Sequence, residues 1–240
     1  MIELSLGTWR VTIQRKLPEV RDITRMYDAA SWIWHPVVAL LGYSRSYEKL
    51  FNEMAIKNEL AHLHDGAMVL DAGIGTGAFS MALARSFPRA LSFHGIDIST
   101  LMLSKARANL RQLTRSNLTL QLHYGDVDCL PYPDSNFDMV ISAHMLEYSQ
   151  DPLQTIKEMV RVLRAGGNML IVTTRVNHIN RWHGLRWRYC SIDTQQLQNL
   201  MQQAGLCNVR CCRLGAGLSL AGLLSAAYIG RKQEVFGSLG

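Results

Sequence analysis

From residue 66 onward, short apolar runs alternate with amphipathic stretches. Runs at residues 67–71, 91–97, 118–124, 137–142 and 168–174 predict five strands, and two more are predicted at 208–213 and 226–231. The intervening stretches carry apolar residues three and four positions apart, which is typical of helices buried along one face. Strands that alternate with helices through short connections predict an α/β fold, with helices on both faces of a parallel sheet.

Side chains suited to helix capping stand at three predicted helix starts: Ser99 or Thr100, Asp151 with Pro152 behind it, and Asp193 paired with Gln196. We expect Gly166 and Gly167 to end the second of these helices.

The overall composition narrows the range of possible functions but is compatible with several of them. The chain has 240 residues, 48% of them hydrophobic, which is enough for one large core, and its formal net charge is +6. A basic chain can attract nucleic acid, anionic lipid or an acidic substrate, but a solvated basic surface has the same composition. The cysteines lack C-x-x-C spacing, so no metal site is expected. Without a signal-peptide pattern or a spanning apolar run, we expect a cytoplasmic protein.

A glycine-rich loop follows the first strand of the predicted sheet, at residues 71–77 (DAGIGTG). Its alternate glycines permit positive φ and let a ligand approach the backbone closely. The helix start behind them suits a carboxylate, because it offers N–H groups and the positive end of the helix dipole. The same loop also fits a dinucleotide pattern, so by itself it does not choose the cofactor.

An acidic residue follows each of the next two predicted strands. Asp97 lies 24 residues after Gly73, where a carboxylate can accept hydrogen bonds from both hydroxyls of an adenosine ribose. Asp126, in Gly125-Asp126-Val127, can accept from an adenine amine while the next backbone N–H donates to the ring. The simpler explanations are that Asp97 caps a helix and that Asp126 is a turn residue without a ligand.

Together these segments resemble the class I S-adenosylmethionine-dependent methyltransferases, and among them the small-molecule and quinone methyltransferases of ubiquinone and menaquinone biosynthesis. The resemblance is carried by VLDAGIGTG, GIDISTLMLSKA, GDVDCLPYPDSNFDMVIS, HMLEY and EMVRVLRAGG. It is close over residues 67–174 and looser beyond them. One departure is Ala165 before Gly166-Gly167, where the family usually has proline, and this changes turn stiffness rather than chemistry.

The resemblance implies a Rossmann-like, seven-stranded, mostly parallel sheet with a C-terminal antiparallel strand. It also implies two parts of the chain, an N-terminal helical lid over the acceptor (residues 1–65) and a methyltransferase domain (residues 66–240).

The implied cofactor is S-adenosyl-L-methionine, with S-adenosyl-L-homocysteine as the product. Its methionine end would be lined by Asp71, Ala72, Gly73, Ile74, Gly75 and Gly77. Asp97 would bind the ribose, and the adenine would lie among Ile98, Met102, Gly125, Asp126 and Val127. Ser142, Ala143 and His144 would face both cofactor and acceptor, with Tyr27 as a candidate lid residue.

The implied reaction is an in-line displacement at the sulfonium methyl, in which the protein aligns the acceptor and excludes water. A base is needed only when the acceptor loses a proton, and the candidates are His144, the first choice, Glu147, His35 and His178. We interpret Glu147 as an acid that favours a helix N-terminus. Aromatic and apolar residues at 32–43 predict a hydrophobic acceptor, such as a quinone precursor, a lipid or a natural product, with peripheral membrane contact; lid packing is the simpler explanation.

Other functions stay open at this point. A nicotinamide (NAD(P)-dependent) oxidoreductase usually carries its glycine loop nearer the N-terminus. An RNA methyltransferase is not favoured, because no separate RNA-binding module is evident, although residues 178–189 are basic and aromatic. A non-catalytic protein that retains the cofactor fold is the third alternative. A monomer and a homodimer are equally compatible with the sequence.

Overall fold

The computed structural model describes residues 2–6, 9–13, 41–113, 118–176, 192–215 and 220–234. The candidates Tyr27, His35 and His178, and the basic aromatic stretch at 178–189, lie outside the described residues.

Strands and a helix share the first 65 residues. Strands β1 (Ile2–Leu6) and β2 (Trp9–Ile13) form a two-stranded antiparallel sheet, and helix α1 spans Tyr43–Ile56. The expectation of helices therefore agrees with α1 but is wrong for residues 2–6 and 9–13. Apolar residues alternate with polar ones in both stretches, which is the strand periodicity.

A seven-stranded sheet forms the centre of residues 66–240. Its strands are β3 (Ala67–Ala72), β4 (Leu91–Asp97), β5 (Thr119–Tyr124), β6 (Phe137–Ala143), β7 (Leu163–Thr174), β8 (Leu206–Cys212) and β9 (Ser225–Lys232). They lie in the order β5-β4-β3-β6-β7-β9-β8, and β9 runs antiparallel to both of its neighbours. The predicted mostly parallel sheet with a C-terminal antiparallel strand is confirmed. The chain reverses its direction of winding between β3 and β6, and this switch point is where such sheets bind ligands.

Helices cover both faces of the sheet, as predicted. After α1 they are α2 (Ala78–Ser86), α3 (Thr100–Arg111), α4 (Pro152–Val162), α5 (Thr194–Gln203) and the short α6 (Leu220–Leu224). Neighbouring residues of β3 point to opposite faces, so Val69 packs with α1 and α2 while Leu70 packs with α4 and α5. In the described part of the chain, no helix is long and apolar enough to cross a bilayer.

The predicted helix starts are confirmed by their hydrogen bonds. The side chains of Ser99, Asp151 and Asp193 each accept from the backbone N–H three residues later, which is the N-cap arrangement.

The prediction that Gly166 and Gly167 end α4 is wrong. The helix ends at Val162, and β7 begins at Leu163 and runs through both glycines. A Cβ on Gly167 would lie 2.7 Å from the Asp138 carbonyl oxygen, so this glycine permits β6 and β7 to approach each other. The end of α4 is capped instead by Lys232 of β9, whose Nζ donates to the carbonyls of Val160 (2.7 Å) and Leu163 (2.6 Å).

We expect Lys232→Met to lower the free energy of unfolding by about 1–3 kcal/mol, because it removes charge-assisted hydrogen bonds to carbonyls at the end of a helix. Urea unfolding followed by circular dichroism measures this loss. Lys157→Met, on the exposed face of α4, is the matched control and should change stability by less than about 0.5 kcal/mol. Equal losses in the two variants would contradict the capping role of Lys232.

Candidate functional site

Three loops meet at the carboxyl edge of β3, β4 and β5, and backbone hydrogen bonds join them. The amides of Gly73 and Ile74 both donate to the Ile96 carbonyl, over 2.9 and 3.0 Å, and the Gly125 amide donates to the Asp97 carbonyl over 3.1 Å. The loops after three neighbouring strands therefore hold one another in place, although they are distant in sequence.

Glycine is required in the first of these loops. Gly73, Gly75 and Gly77 have φ values of +75°, +53° and +80°, in the left-handed region that other residues rarely adopt. A Cβ on Gly73 would also lie 2.6 Å from Cγ of Met145, whereas one on Gly75 would meet no atom within 4 Å. The backbone at Gly75 is thus open to a ligand, as the sequence predicts for a cofactor loop.

Asp97 is oriented by two backbone amides. Its Oδ2 accepts from Gly75 N at 2.8 Å, and its Oδ1 accepts from Ser99 N at 2.9 Å. Because Ser99 caps α3, the capping explanation of Asp97 is wrong. The carboxylate lies at the end of β4, directly beside the glycine-rich loop.

Apolar side chains follow the ends of β4 and β5, with an acid beside them, and form one apolar surface with an acidic rim. Met102 and Val127 are buried and Ile98 is half-buried. Asp126 is exposed, and its Oδ1 accepts from Asp128 N at 3.0 Å, which forms a turn after Gly125. Such a surface suits a flat heteroaromatic ring with a polar edge.

Asp71 lies at the end of β3, beneath the glycine-rich loop. The side chain is buried, and its Oδ2 accepts from Oγ of Ser80 at 2.6 Å. Burial raises the pKa of Asp71 to about 7; the hydrogen bond from Ser80 opposes this rise and the nearby charge of Asp97 adds to it. The carboxyl group is therefore poised to ionise near neutral pH when a cation approaches.

The end of β6 joins this edge through side chains. Oγ of Ser142 donates to the Ala72 carbonyl at 2.7 Å, which ties β6 to β3, and Ala143 is the last residue of β6. His144 follows with φ +57°, a conformation that histidine tolerates better than most residues, and its N–H donates to the Val172 carbonyl at 2.8 Å.

His144 contacts a buried carboxylate. Its Nδ1 lies 3.3 Å from Oε1 of Glu147 and 3.3 Å from Oγ1 of Thr174. The same Glu147 oxygen accepts from Thr174 N at 2.7 Å. Burial would raise the pKa of Glu147, but the hydrogen bond and charge of His144, together with the Thr174 N–H, lower it below its ordinary value. Glu147 lies in the first turn of a short 3₁₀ helix, Leu146–Tyr148, and its carboxylate also contacts His144 and the Thr174 amide.

Aromatic side chains of α1 and α2 lie beside this pair. The rings of Tyr43 and His144 meet edge to face at 5.3 Å, and the Tyr43 hydroxyl lies 2.6 Å from Oγ of Ser225. Tyr47 follows one turn later on α1 and packs against Phe79 of α2 at 4.7 Å.

The sequence-predicted site residues that lie within the described ranges cluster at one edge of the sheet. Sequence reasoning missed Tyr43, Thr174 and Ser225, because their contacts join residues far apart in the chain and leave no local pattern. The contact between His144 and Glu147 did have a signal, since residues three apart in a helical turn share a face.

The described residues support neither a nicotinamide oxidoreductase site, which would use a Tyr-x-x-x-Lys pair, nor a metal site. A Tyr-x-x-x-Lys spacing occurs at Tyr228 and Lys232, but Tyr228 bonds to Thr194 and Lys232 lies at the opposite edge of the sheet from the glycine-rich loop. Within the described ranges, no group of three or more His, Cys, Asp or Glu side chains is arranged to hold a metal ion.

Comparisons with known proteins agree with this geometry. A methyltransferase domain family matches residues 69–167. The demethylmenaquinone methyltransferase of Bacillus licheniformis is 35% identical over 116 residues, which is 48% of this chain and 48% of that protein. This chain thus spans about half the length of that curated relative.

Solved structures share the fold over most of the chain. The [4+2]-cyclase SpnF has a TM-score of 0.68 at 18% identity, and the match covers 90% of this chain and 98% of that one. A SAM-dependent methyltransferase from Thermotoga maritima has a TM-score of 0.64 at 16% identity, with coverage of 88% and 100%.

These similarities favour neither an oxidoreductase nor an RNA-modifying enzyme. The glycine-rich loop, the acids at the ends of β4 and β5, and the matched domain agree with one another. Residues 69–167 thus match a methyltransferase domain family, and this part of the chain resembles the demethylmenaquinone methyltransferases, while most of the chain shares the fold of S-adenosylmethionine-dependent methyltransferases.

Proposed function

We propose that this chain transfers a methyl group from S-adenosylmethionine to a small, hydrophobic acceptor. The observation that carries the proposal is the contact between Asp97 and Gly75, which holds the proposed ribose-binding carboxylate against a glycine-rich loop. When bound, the cofactor supplies an electrophilic methyl group on a sulfonium. The chain's own residues then hold it, align the acceptor and exclude water.

The side chains at the carboxyl edge of β3, β4 and β5 suit S-adenosylmethionine chemically. Asp71 and Asp97 are acids suited to a ligand that carries an ammonium group and ribose hydroxyls. Met102 and Val127 are apolar and suit the faces of an adenine, with Asp126 at its amine edge. The proposed cofactor residues are Asp71, Ala72, Gly73, Ile74, Gly75, Gly77, Asp97, Ile98, Met102, Gly125, Asp126, Val127, Ser142, Ala143 and His144.

The acceptor is proposed to lie between His144 and the aromatic side chains of α1. Exposed apolar side chains lie just after β7 and on α6, at Val176, Leu220 and Leu223. A hydrogen bond from the Arg175 N–H to the Leu224 carbonyl joins these two segments. These residues support an apolar acceptor that approaches from this side, with peripheral membrane contact if the acceptor is a lipid. The Bacillus licheniformis relative is named for a demethylmenaquinone, and a quinone of that kind belongs to this chemical class.

The function is tested by transfer of a labelled methyl group into a cell extract, followed by partition between water and organic solvent. We expect labelled product in the organic phase, and mass spectrometry then identifies it. Label that stays in the aqueous phase would contradict the hydrophobic acceptor, and label in RNA would restore the nucleic-acid alternative.

Asp97→Asn tests the cofactor. S-adenosylhomocysteine at 100 times its Kd should stabilise the wild-type protein by about 2.7 kcal/mol, seen as a higher melting temperature. The variant should bind at least about tenfold more weakly, because the amide lacks the charge and one of the acceptors that ribose hydroxyls need. NAD at the same concentration is the control ligand. A larger melting shift with NAD than with S-adenosylhomocysteine would overturn the assignment.

The raised pKa of Asp71 predicts that the affinity for the cofactor depends on pH. In the ligand-free protein the pKa of Asp71 is about 7, so below pH 7 the ammonium of S-adenosylhomocysteine must displace a proton from it. Affinity should therefore rise by up to about tenfold per pH unit between pH 5.5 and 7, then level off. Titration calorimetry in two buffers of different ionisation enthalpy measures both the affinity and the released proton. Asp71→Asn should make affinity independent of pH over this range, and a flat wild-type profile would contradict this role of Asp71.

A further inference from the structure

We infer that Glu147 is a positioning residue that holds His144 with its proton on Nδ1, and that the acceptor therefore belongs to a class that loses a proton on methylation. The second half rests on the proposed function of the site, whereas the first half does not.

Glu147 is placed by its surroundings. Its side chain is 2% exposed, and the Thr174 amide fixes Oε1 at 2.7 Å from the end of β7. His144 is fixed independently by its bond to the Val172 carbonyl. Two neighbouring strand ends therefore bring the carboxylate and the imidazole together, and a surface pair of long side chains would not be held in this way.

The contact determines which nitrogen of His144 carries the proton. An ionised carboxylate has no proton to donate, so a nitrogen that faces it at 3.3 Å must be the donor. In the neutral ring the second nitrogen, Nε2, then has a lone pair. Nε2 is buried and has no hydrogen-bond partner in the described part of the chain. An unpartnered acceptor in this position is available to take a proton from a bound molecule.

The groups around His144 and Glu147 keep the Glu147 carboxylate ionised. Among the described residues, Glu147 is the only acid that contacts His144. Tyr43 faces it from α1, and Thr174 faces it from β7. Burial raises the pKa of Tyr43, so this hydroxyl stays neutral at physiological pH. Burial also raises the pKa of Tyr47, and the charges of Glu147 and Asp71 add to this rise. Within the described ranges, the groups that lower the pKa of Glu147 are His144 and backbone amides, and no lysine or arginine is one of them.

The proton balance then points to the acceptor class. In the transfer, a bond forms between the acceptor atom and the methyl carbon, the carbon–sulfur bond breaks, and its electron pair stays on sulfur. The acceptor's O–H, C–H or S–H proton moves to Nε2 of His144, and the ionised Glu147 stabilises the resulting imidazolium. A tertiary amine loses no proton and gains nothing from such a pair. The arrangement therefore fits a phenol, an enol, a thiol or a carbon acid.

The positioning role is tested first without any acceptor. The full chain, labelled with ¹⁵N at histidine, is prepared as wild type, Glu147→Gln and Glu53→Gln. Glu53 lies on the surface of α1 and undergoes the same chemical change, so this variant is the matched control. The ¹⁵N shifts of the His144 ring, assigned with His144→Asn, report which nitrogen is protonated above pH 8. We expect Nδ1–H in the wild type and in Glu53→Gln, and a mixture or Nε2–H in Glu147→Gln. Nε2–H in the wild type would overturn the inference.

The catalytic consequence is tested by labelled-methyl transfer into an organic extract of cells. We expect His144→Asn, which tolerates the positive φ, to lower kcat by about 10²–10⁴-fold. Glu147→Gln should lower kcat by about 10- to 100-fold while KM for S-adenosylmethionine stays within about twofold, and should move the acidic limb of the pH profile to lower pH. An unchanged kcat and pH profile in Glu147→Gln would overturn the positioning role.

The outcomes separate the two proposals. No transfer by the wild type to any acceptor in the extract would overturn the proposed function, while the ring shifts would still decide the role of Glu147. A quaternary ammonium product would overturn the acceptor class alone. Because melting temperature and S-adenosylhomocysteine binding are measured for every variant, a folding defect is recognised independently of kcat.

Discussion

The site depends on the close approach of the loop after β3 to the end of β4. The Ile96 carbonyl accepts two amides from this loop, and the Ile74 side chain folds over Gly95, where a Cβ would lie 2.4 Å from its Cδ1. Only glycine at position 95 permits this packing, and only positive φ at Gly73 and Gly75 lets the loop turn back. Once the loop is held there, Gly75 N reaches Asp97, and the start of α2 faces the same edge. The proposed cofactor half of the site is therefore built mainly from backbone geometry.

The other half is built from side chains that cross between elements. Ser142 ties β6 to β3, and Met145 packs against Gly73, so the loop after β6 is in direct contact with the glycine-rich loop. From this base His144 reaches Glu147 and Thr174. The two halves share a boundary along β3 and β6, which is the switch point of the sheet. A group bound over the glycine-rich loop would thus lie beside the imidazole without any further rearrangement of the strands.

The proposed cofactor residues lie inside the matched domain, whereas several residues around His144 lie outside it. The matched methyltransferase domain, residues 69–167, contains the proposed cofactor residues of the described part together with His144 and Glu147. Tyr43, Thr174 and Ser225, which surround His144, all lie outside it. Proteins that share this domain can therefore share a cofactor while their acceptors differ, because the elements around the acceptor come from other parts of the chain. The fold shared with a [4+2]-cyclase is consistent with this separation of fold and chemistry.

Local patterns in the sequence determined most of the fold. Apolar periodicity predicted the strands of the seven-stranded sheet and the buried faces of α3, α4 and α5, and capping side chains predicted three helix starts, since both effects act within a few residues. The glycines of the loop and the acids at the strand ends likewise marked their positions, because backbone conformation there demands particular residues. The end of α4 was predicted incorrectly, since Lys232 caps it from 72 residues away and Gly167 serves the contact with β6. Glu147 could be seen in the sequence, but its role depends on Thr174 and on the direction in which His144 leaves β6. Contacts between distant residues arise only when the sheet is assembled, so the tertiary structure alone decided how the proposed acceptor side is arranged.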